Sequence, residues 1–316
     1  MVERIDTVIV GAGQAGLALS RCLTDAGHDH VVLERGRIGE RWRSERWPTL
    51  SLLSPNWLNT LPGSPAHADP DGYLTVEELV AYFERYAASF GAPVREGVTV
   101  LSAERDGDGF AIRTDAGRWR SRSLVVATGD CDVPLVPDLA WAAPAGVAAL
   151  HASRYRSPAE LAPGGVLVVG AGPSGQQLAL ELRRAGREVT IAVGRHVRSV
   201  RRYRGRDIFA WLDDLGELHR PADEVPDLAA AMAAPSMTLT GSNGGEQLDG
   251  DLRSSVADAE RRLRRLLGRI DELAGGSGET VPPLALPDGP RSLDLRAAGI
   301  STVLFATGYR RSYPWL

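Results

Sequence analysis

Lysine is missing altogether: the 36 basic residues of this 316-residue chain are all arginine. P-loop phosphate transfer and Schiff-base catalysis both need a lysine, so both are excluded. Cysteine is scarce, with Cys22 inside an expected helix and Cys131 just beyond an expected strand. There is no Cys-x-x-Cys pair, which argues against dithiol redox chemistry. No apolar run approaches the roughly 18 residues of a membrane-spanning helix, and Met1 leads straight into a strand, so the expected location is cytoplasmic with no membrane partner. The net charge of −4 gives no general reason to expect nucleic acid. His28 and His30 read as polar residues of a helix-to-strand turn and Asp106-Gly107-Asp108-Gly109 as a hairpin turn, so no metal site is expected.

Glycine, by contrast, is abundant and patterned. Gly11-Ala12-Gly13-Gln14-Ala15-Gly16 and Gly170-Ala171-Gly172-Pro173-Ser174-Gly175 each follow a β-like apolar run and open a helix-like one, which Leu17 and Gln176 continue. In such a motif the first glycine permits the tight turn, the second lets a pyrophosphate approach the backbone, and the third lets helix and strand pack closely. The helix N-terminus then stabilises the phosphates without a lysine. Two motifs in this context imply two nucleotides.

The strand ends that read ribose differ. In the first unit Val31-Val32-Leu33 ends in Glu34, whose carboxylate can accept both hydrogen bonds of an adenosine ribose diol, with Arg35 beside it. At the equivalent place in the second stands Val193, followed by Gly194, Arg195 and His196, a cationic neighbourhood suited to a 2′-phosphate. The expected tenants are FAD at the first site and NADPH at the second. The alternatives are an ordinary strand-end carboxylate at Glu34 and solvated loop residues at Arg195 and His196. From Arg195 to Arg206 the chain also carries Arg198, Arg201, Arg202 and Arg204, a cluster that an anionic ligand or a solvated face would explain.

Between the motifs, Gly39-Glu40-Arg41-Trp42-Arg43 and a Pro-rich segment from Trp47 to Pro65 make a long irregular excursion, a type of loop that often carries function. Residues 74–90 read as an amphipathic helix with Thr75 as cap and Glu78 completing the capping box. A β-meander of Val98–Ser102, Phe110–Thr114 and Arg118–Arg120 follows, with Val100 assigned to the first cofactor. Then comes a buried strand, Leu124-Val125-Val126, running into Ala127-Thr128-Gly129, and near the end its echo, Thr302 to Phe305 running into Ala306-Thr307-Gly308. Thr128, Gly129, Thr307 and Gly308 are accordingly placed near the cofactors. The echo suggests a second domain inserted in the first: 1–132 as the first part of an FAD-binding domain, 133–298 as an inserted NADPH-binding domain, and 299–316 as the return. The fold class is α/β, two Rossmann-like dinucleotide-binding domains with central parallel sheets and a β-meander. Within the poorly legible 221–290, Leu252 to Ala274 reads as a surface helix of alternating charge.

Both glycine motifs, Arg41-Trp42, the two Ala-Thr-Gly turns and His151-Ala152-Ser153-Arg154-Tyr155 together resemble the flavin-containing monooxygenase-like flavoproteins with two dinucleotide-binding domains. The last segment is similar to the His-x-x-x-Tyr half of that family's fingerprint; the Phe and Gly of the other half would fall at Ala145 and Val147. That departure points to the bacterial subgroup labelled as flavoproteins of potassium transport, although no residue here supports ion transport. The resemblance implies that NADPH reduces FAD, that O2 is activated at flavin C4a as a peroxyflavin, and that a small organic substrate is oxygenated. It also implies an asparagine near the flavin, Asn56, with Ser54 as competitor; for Asn56 a turn-forming role is the alternative. Trp47 and Trp57 are candidates for the pocket wall, packing against the loop being the alternative. The family continues through a last strand and a glycine-bearing helix beyond Leu316, so the first domain is expected to lack its lid. Two other functions stay open: an NAD(P)H-dependent flavin reductase without oxygenation, and a truncated, non-catalytic dinucleotide-binding protein. A homodimer is compatible with all three.

Overall fold

The computed structural model describes residues 2–137, 143–194, 199–221, 224, 239–242, 245–248, 252–284 and 292–316, with side chains described outside 239–255. The chain divides into two compact units, one formed by 1–134 and 309–316 and the other by 135–308.

The first unit is built on a six-stranded sheet of order β3-β2-β1-β6-β5-β4. Its elements are β1 (Val2–Val10), α1 (Gln14–Asp25), β2 (His30–Glu34), α2 (Glu40–Ser44), α3 (Val76–Ser89), β3 (Val94–Glu96), β4 (Val100–Asp106), β5 (Gly109–Thr114) and β6 (Arg118–Val126). β1 lies between β2 and β6, parallel to both. Alternation along the strands sends Ile9 and Val32 to one face, where Leu17 of α1 and Leu79, Phe83 and Tyr86 of α3 cover them. Val8, Val10, Val31 and Leu33 go to the other face and pack with Val100, Ala103, Ile112 and Trp119 of the meander.

The sequence suggested separate strands at 118–120 and 124–126. They form one strand, β6, because no glycine or proline interrupts Arg118 to Val126, and Trp119 and Ser121 turn inward between outward arginines. Leu124 and Val125 are half-buried and Val126 is exposed, where a buried strand was expected. His30 also departs from the expected loop role: it opens β2, is buried, and bridges Ser20 Oγ (2.8 Å from Nε2) and the His28 carbonyl oxygen (2.9 Å from Nδ1).

α3 carries the capping box expected for it. The Glu78 N–H donates to Thr75 Oγ1 (3.2 Å), and the Thr75 N–H donates to Glu78 Oε2 (2.8 Å). The Thr75 N–H and the Thr75 hydroxyl, which also donates to Glu78 Oε2 (2.9 Å), hold the Glu78 carboxyl below its ordinary value. Their stabilisation is complete above about pH 4.3, the ordinary glutamate value, and is lost as pH falls through the lower folded value. Thr75→Ala is expected to cost about 1 kcal/mol in chemical denaturation at neutral pH.

The Pro-rich excursion is tied to α3: the Leu61 N–H donates to Tyr82 Oη (2.8 Å) and Tyr86 Oη donates to the Pro62 carbonyl (2.6 Å). Burial pushes the Tyr86 phenol up to about 12. Trp47 is one of the most deeply buried side chains, so its role is packing.

The second unit contains a four-stranded parallel sheet of order β10-β9-β15-β8, formed by β8 (Ala148–His151), β9 (Gly165–Val169), β10 (Val189–Ala192) and β15 (Ile300–Phe305), with α4 (Pro173–Arg184) following β9. β15 therefore belongs here, and the border falls at 308/309 where 298/299 was expected. Two short strands, β7 (Val133–Pro134) and β16 (Tyr309–Arg310), pair antiparallel, Pro134 opposite Tyr309. Two hairpins, β11 (Arg202–Tyr203) with β12 (Arg206–Asp207) and β13 (Leu239–Ser242) with β14 (Gly245–Leu248), complete the strands described. The helix at 252–274 forms, but it is more than a surface element. In this helix, α6 (Leu252–Ala274), Leu263, Leu267 and Ile270 pack on Tyr203 and on Ile208 and Trp211 of α5 (Ile208–Asp214), while Arg261, Arg262, Arg264, Arg265 and Arg269 are exposed.

Candidate dinucleotide sites

The two glycine motifs fold to the same local geometry. Gly11 and Gly170 have φ of +109° and +107°, a region L side chains avoid, and a Cβ on either would lie 2.6 Å from the carbonyl oxygen of Ala127 or Ala306. A Cβ on Gly16 or Gly175 would run into the carbonyl of the motif's own first glycine, so these positions set how closely helix meets strand. Gly13 and Gly172 face open space. That is where a phosphate can approach.

The helices leave donors for it. α1 and α4 begin at glycine N-caps with no side-chain cap, in contrast to the capped α3. The N–H groups of the first turn are thus left for an anion, and Pro173 at the start of α4 gives up only a donor that helix bonding does not use. The backbone fits a bound dinucleotide pyrophosphate at both places.

Each Ala-Thr-Gly turn belongs to its own site. The Ala127 N–H donates to the Val10 carbonyl (2.9 Å) beside the first motif, and the Ala306 N–H to the Val169 carbonyl (2.8 Å) beside the second. The echo thus arises from repetition of one strand set, β2-β1-β6 and β10-β9-β15, and the second turn is not a return to the first unit. Thr307 Oγ1 donates to the Leu135 carbonyl, and the Gly308 carbonyl accepts from the Leu135 N–H (3.0 Å) and His151 Nε2 (3.1 Å). His151 Nδ1 accepts from the Ser153 N–H (3.1 Å), which leaves the proton on Nε2. The side chain of Thr307 and the carbonyl of Gly308 are therefore committed within the unit.

Glu34 is 8 % exposed and its carboxylate is held on both oxygens: Oε2 accepts from the Ala12 N–H (2.8 Å) and Oε1 from the Gly36 N–H (3.0 Å). Each oxygen retains a lone pair for a hydroxyl donor. Arg35 is exposed, 3.6 Å from Glu45. Arg41 Nη2 donates to Asp132 (2.9 Å), and its Nη1 lies 3.4 Å from Glu45, so its charge is balanced inside the unit. Trp42 is half-buried against the core under α1 and α3; Val100 is buried opposite Thr114, and Gly129 has φ +74°.

Asn56 starts a single 3-10 turn, Asn56–Asn59. Its Nδ2 donates to the Asp69 carbonyl (2.9 Å), while its buried Oδ1 meets no partner among the described residues. Ser54 Oγ donates to Asn59 Oδ1 (2.7 Å). Buried Asn59, which donates back to the Ser54 and Pro55 carbonyls, carried no recognisable sequence signal.

In the second unit Arg195, His196 and Arg198 lie outside the described residues. Carboxylates account for three other members of the arginine cluster: Arg201 with Asp207 (3.3 Å), Arg204 with Asp271 (2.9 Å) and Arg206 with Asp214 (2.7 Å). For these three the anionic-ligand expectation is replaced by internal pairing.

Comparison with known proteins agrees with this geometry. Residues 8–212 match the pyridine nucleotide-disulphide oxidoreductase family. The chain belongs to that family. A CzcO-like oxidoreductase of Geobacillus kaustophilus is 30% identical over 318 residues, covering 100% of this chain and 84% of the relative. Indole-3-pyruvate monooxygenase YUCCA1 of Oryza sativa subsp. japonica is 32% identical over 325 residues, covering 98% of this chain and 78% of that protein. Among solved structures, the flavin-containing monooxygenase from Stenotrophomonas maltophilia shares the fold with a TM-score of 0.64 at 22% identity, covering 99% of this chain and 81% of that one. The chain is thus a flavin-containing monooxygenase-like oxidoreductase with the fold for FAD and a pyridine nucleotide. The disulphide in the family's name has no counterpart here, since Cys22 and Cys131 are both free thiols. Among the described residues no helix is long and apolar enough to cross a membrane.

Proposed function

We propose that this oxidoreductase is an NADPH-dependent flavin monooxygenase acting on a small organic substrate with O2, with FAD at the first motif and NADPH at the second. The observation that carries the assignment is the contrast between the strand ends. Glu34 is a fixed, half-satisfied carboxylate at the end of β2, whereas β10 ends at Ala192 and is followed by uncharged Val193 and Gly194. A diol fits the first end; a carboxylate at the second would repel a 2′-phosphate, and none is there.

In this reading Gly11, Gly13, Gln14, Ala15 and Gly16 seat the FAD pyrophosphate, Glu34 takes its ribose, and Arg35, Arg41, Trp42, Val100, Thr128 and Gly129 line its path. Gly170, Gly172, Pro173, Ser174, Gly175 and Gln176 seat the NADPH pyrophosphate, with Arg195 and His196 at the 2′-phosphate and Thr307 and Gly308 beside the loop. FAD held by the first motif and Glu34 would supply the redox chemistry, hydride acceptance from a nicotinamide and electron transfer to O2. The chain's own part is to fix both nucleotides against rigid glycine turns and to keep water from the reacting face. Ser54 and Asn56 lie within the excursion; Asn56 Oδ1, a buried acceptor without a partner among the described residues, has capacity for a ligand donor. The protein acts in the cytoplasm on no membrane or nucleic acid, either alone or as a homodimer, with 135–308 as the inserted nucleotide domain.

One observation favours the alternative of a flavin reductase without oxygenation: the side-chain donors of Ser54 and Asn56 are already directed to Asn59 and Asp69. The experiment that decides compares oxygenated product with peroxide released per NADPH consumed. A monooxygenase gives product with little peroxide; a reductase gives peroxide, or electrons to an added acceptor. A separate prediction concerns the coenzyme. Arg195→Ala is expected to weaken NADPH binding by about 1.5–3 kcal/mol, the scale of a charged hydrogen bond, while barely changing NADH. Equal losses for both coenzymes would reject the 2′-phosphate role.

A further inference from the structure

The two phosphate loops have the same backbone but are held differently. In the first, Ala12 is fastened from both sides: its N–H donates to Glu34 Oε2 (2.8 Å) and its carbonyl accepts from the Gly39 N–H (3.1 Å). In the second, Ala171 takes the place of Ala12. The strand registers fix the rest of the correspondence. The Gly11 N–H donates to the Leu33 carbonyl (2.8 Å) and the Gly170 N–H to the Ala192 carbonyl (3.0 Å), so the residue after Ala192, Val193, stands where Glu34 stands. A valine cannot accept the loop's N–H.

The second loop has a different fastening. Gln176 Nε2 donates to the Ala171 carbonyl at 2.7 Å, across the mouth of the loop from the first turn of α4. The residue at this place in α1 is Leu17, fully buried and without a donor; Leu17 and Gln176 make the same backbone bond, to the Gly13 and Gly172 carbonyls, both at 3.0 Å. The side-chain amide is present in the motif that lacks the carboxylate, and absent from the one that has it.

We infer that Gln176 is the positioning residue of the second nucleotide loop, holding the Ala171 carbonyl as the Gly39 N–H holds that of Ala12, in a loop that has no strand-end carboxylate for its N–H. The consequence is chemical. A loop fastened by a strand-end carboxylate places a negative charge beside the ribose 2′ position, which suits a diol and repels a phosphate. A loop fastened by a neutral amide on the helix leaves that strand end free of negative charge, so a phosphorylated ribose is accepted without loss of loop order. Gln176 thereby permits coenzyme choice without touching the 2′-phosphate. The inference rests on the reading of the second motif as the nicotinamide-nucleotide site.

The test measures dissociation constants of NADPH and NADH for the flavin-loaded protein by tryptophan fluorescence, alongside flavin content and melting temperature. Gln176→Leu, which copies the first motif, is expected to weaken both coenzymes roughly fivefold, the scale of one neutral hydrogen bond, with flavin content unchanged. Adding Val193→Glu supplies a new acceptor for the Ala171 N–H. The double variant is expected to recover NADH affinity while NADPH stays at least tenfold weak. Val193→Glu alone serves as the control for the new carboxylate. With the loop fastened by that carboxylate, loss of Gln176 is expected to cost NADH nothing further, whereas a residue that merely stabilised α4 would cost NADH the same roughly fivefold in both backgrounds. Should the leucine variant fold poorly, Gln176→Met keeps the side-chain length, removes the donor and is expected to show the same weakening. Unchanged constants in both single variants overturn the inference, as does a fall in flavin content that tracks the loss, or equal recovery of the two coenzymes. A parent protein that binds neither nucleotide removes the site reading itself, an outcome distinct from unchanged variants of a parent that binds.

Discussion

Gly16→Ala is expected to abolish flavin binding while leaving nicotinamide-nucleotide binding intact, and Gly175→Ala to do the reverse. The added methyl has nowhere to go: in either motif it meets the carbonyl oxygen of the first glycine, a residue whose N–H is bonded to the neighbouring strand. Relief requires the helix to move away from the strand, and that carries the uncapped N–H groups away from the pyrophosphate. Overpacking of this kind costs about 1–3 kcal/mol in structure alone, before the lost phosphate contacts are counted. Flavin content after dialysis and nucleotide titration of each variant read the two sites separately. The same methyl at Gly13 or Gly172 meets nothing in the protein, so Gly13→Ala is expected to harm binding only through contact with ligand, leaving the melting temperature of the flavin-free chain unchanged.

Glu34→Ala is expected to lower flavin affinity about a hundredfold or more. The substitution leaves the Ala12 and Gly36 N–H groups without their acceptor near a buried strand end, and removes the acceptor for the ribose hydroxyls as well. Charged hydrogen bonds contribute about 1.5–3 kcal/mol each, so losing the ribose contact together with loop order exceeds the effect of either alone. Glu34→Gln separates the parts. Its amide oxygen can replace one carboxylate oxygen, but its NH2 group faces the other N–H, so an intermediate loss is expected. Unchanged flavin content in the alanine variant would reject the ribose role, and nicotinamide-nucleotide affinity should not respond in any of these variants.

What the sequence made legible was local. The glycine motifs could be read because a positive φ and a backbone-to-backbone approach admit essentially one residue type. The α3 capping box could be read because its four residues contain the whole device. What stayed hidden depended on pairing at long range. β15 joins β9 across more than a hundred residues, and no pattern inside Thr302 to Phe305 shows which strand it will choose. α6 resembles a surface helix in sequence because charges of both signs alternate along it, yet Leu263, Leu267 and Ile270 recur at the spacing of one buried face. The arginines between 201 and 206 looked like an anion site because their partners, Asp207, Asp214 and Asp271, could be matched to them only in three dimensions. Spacing alone places His30 in the helix-to-strand turn with His28, whereas burial and a bond to Ser20 define its place at the start of β2. The role proposed for Gln176 needed the folded loop, since the sequence shows Val193 in place of a carboxylate but not the bond from Gln176 to the Ala171 carbonyl.

The central claim, two different nucleotides assigned by unequal strand ends, is tested most directly by the visible spectrum of the purified chain titrated with NADPH and with NADH without oxygen, and then opened to air. The account predicts a yellow protein with about one FAD per chain, bleached at lower NADPH than NADH, its colour returning as oxygen is consumed. A colourless protein that does not take up added FAD, or a bound flavin that neither coenzyme reduces, would contradict it.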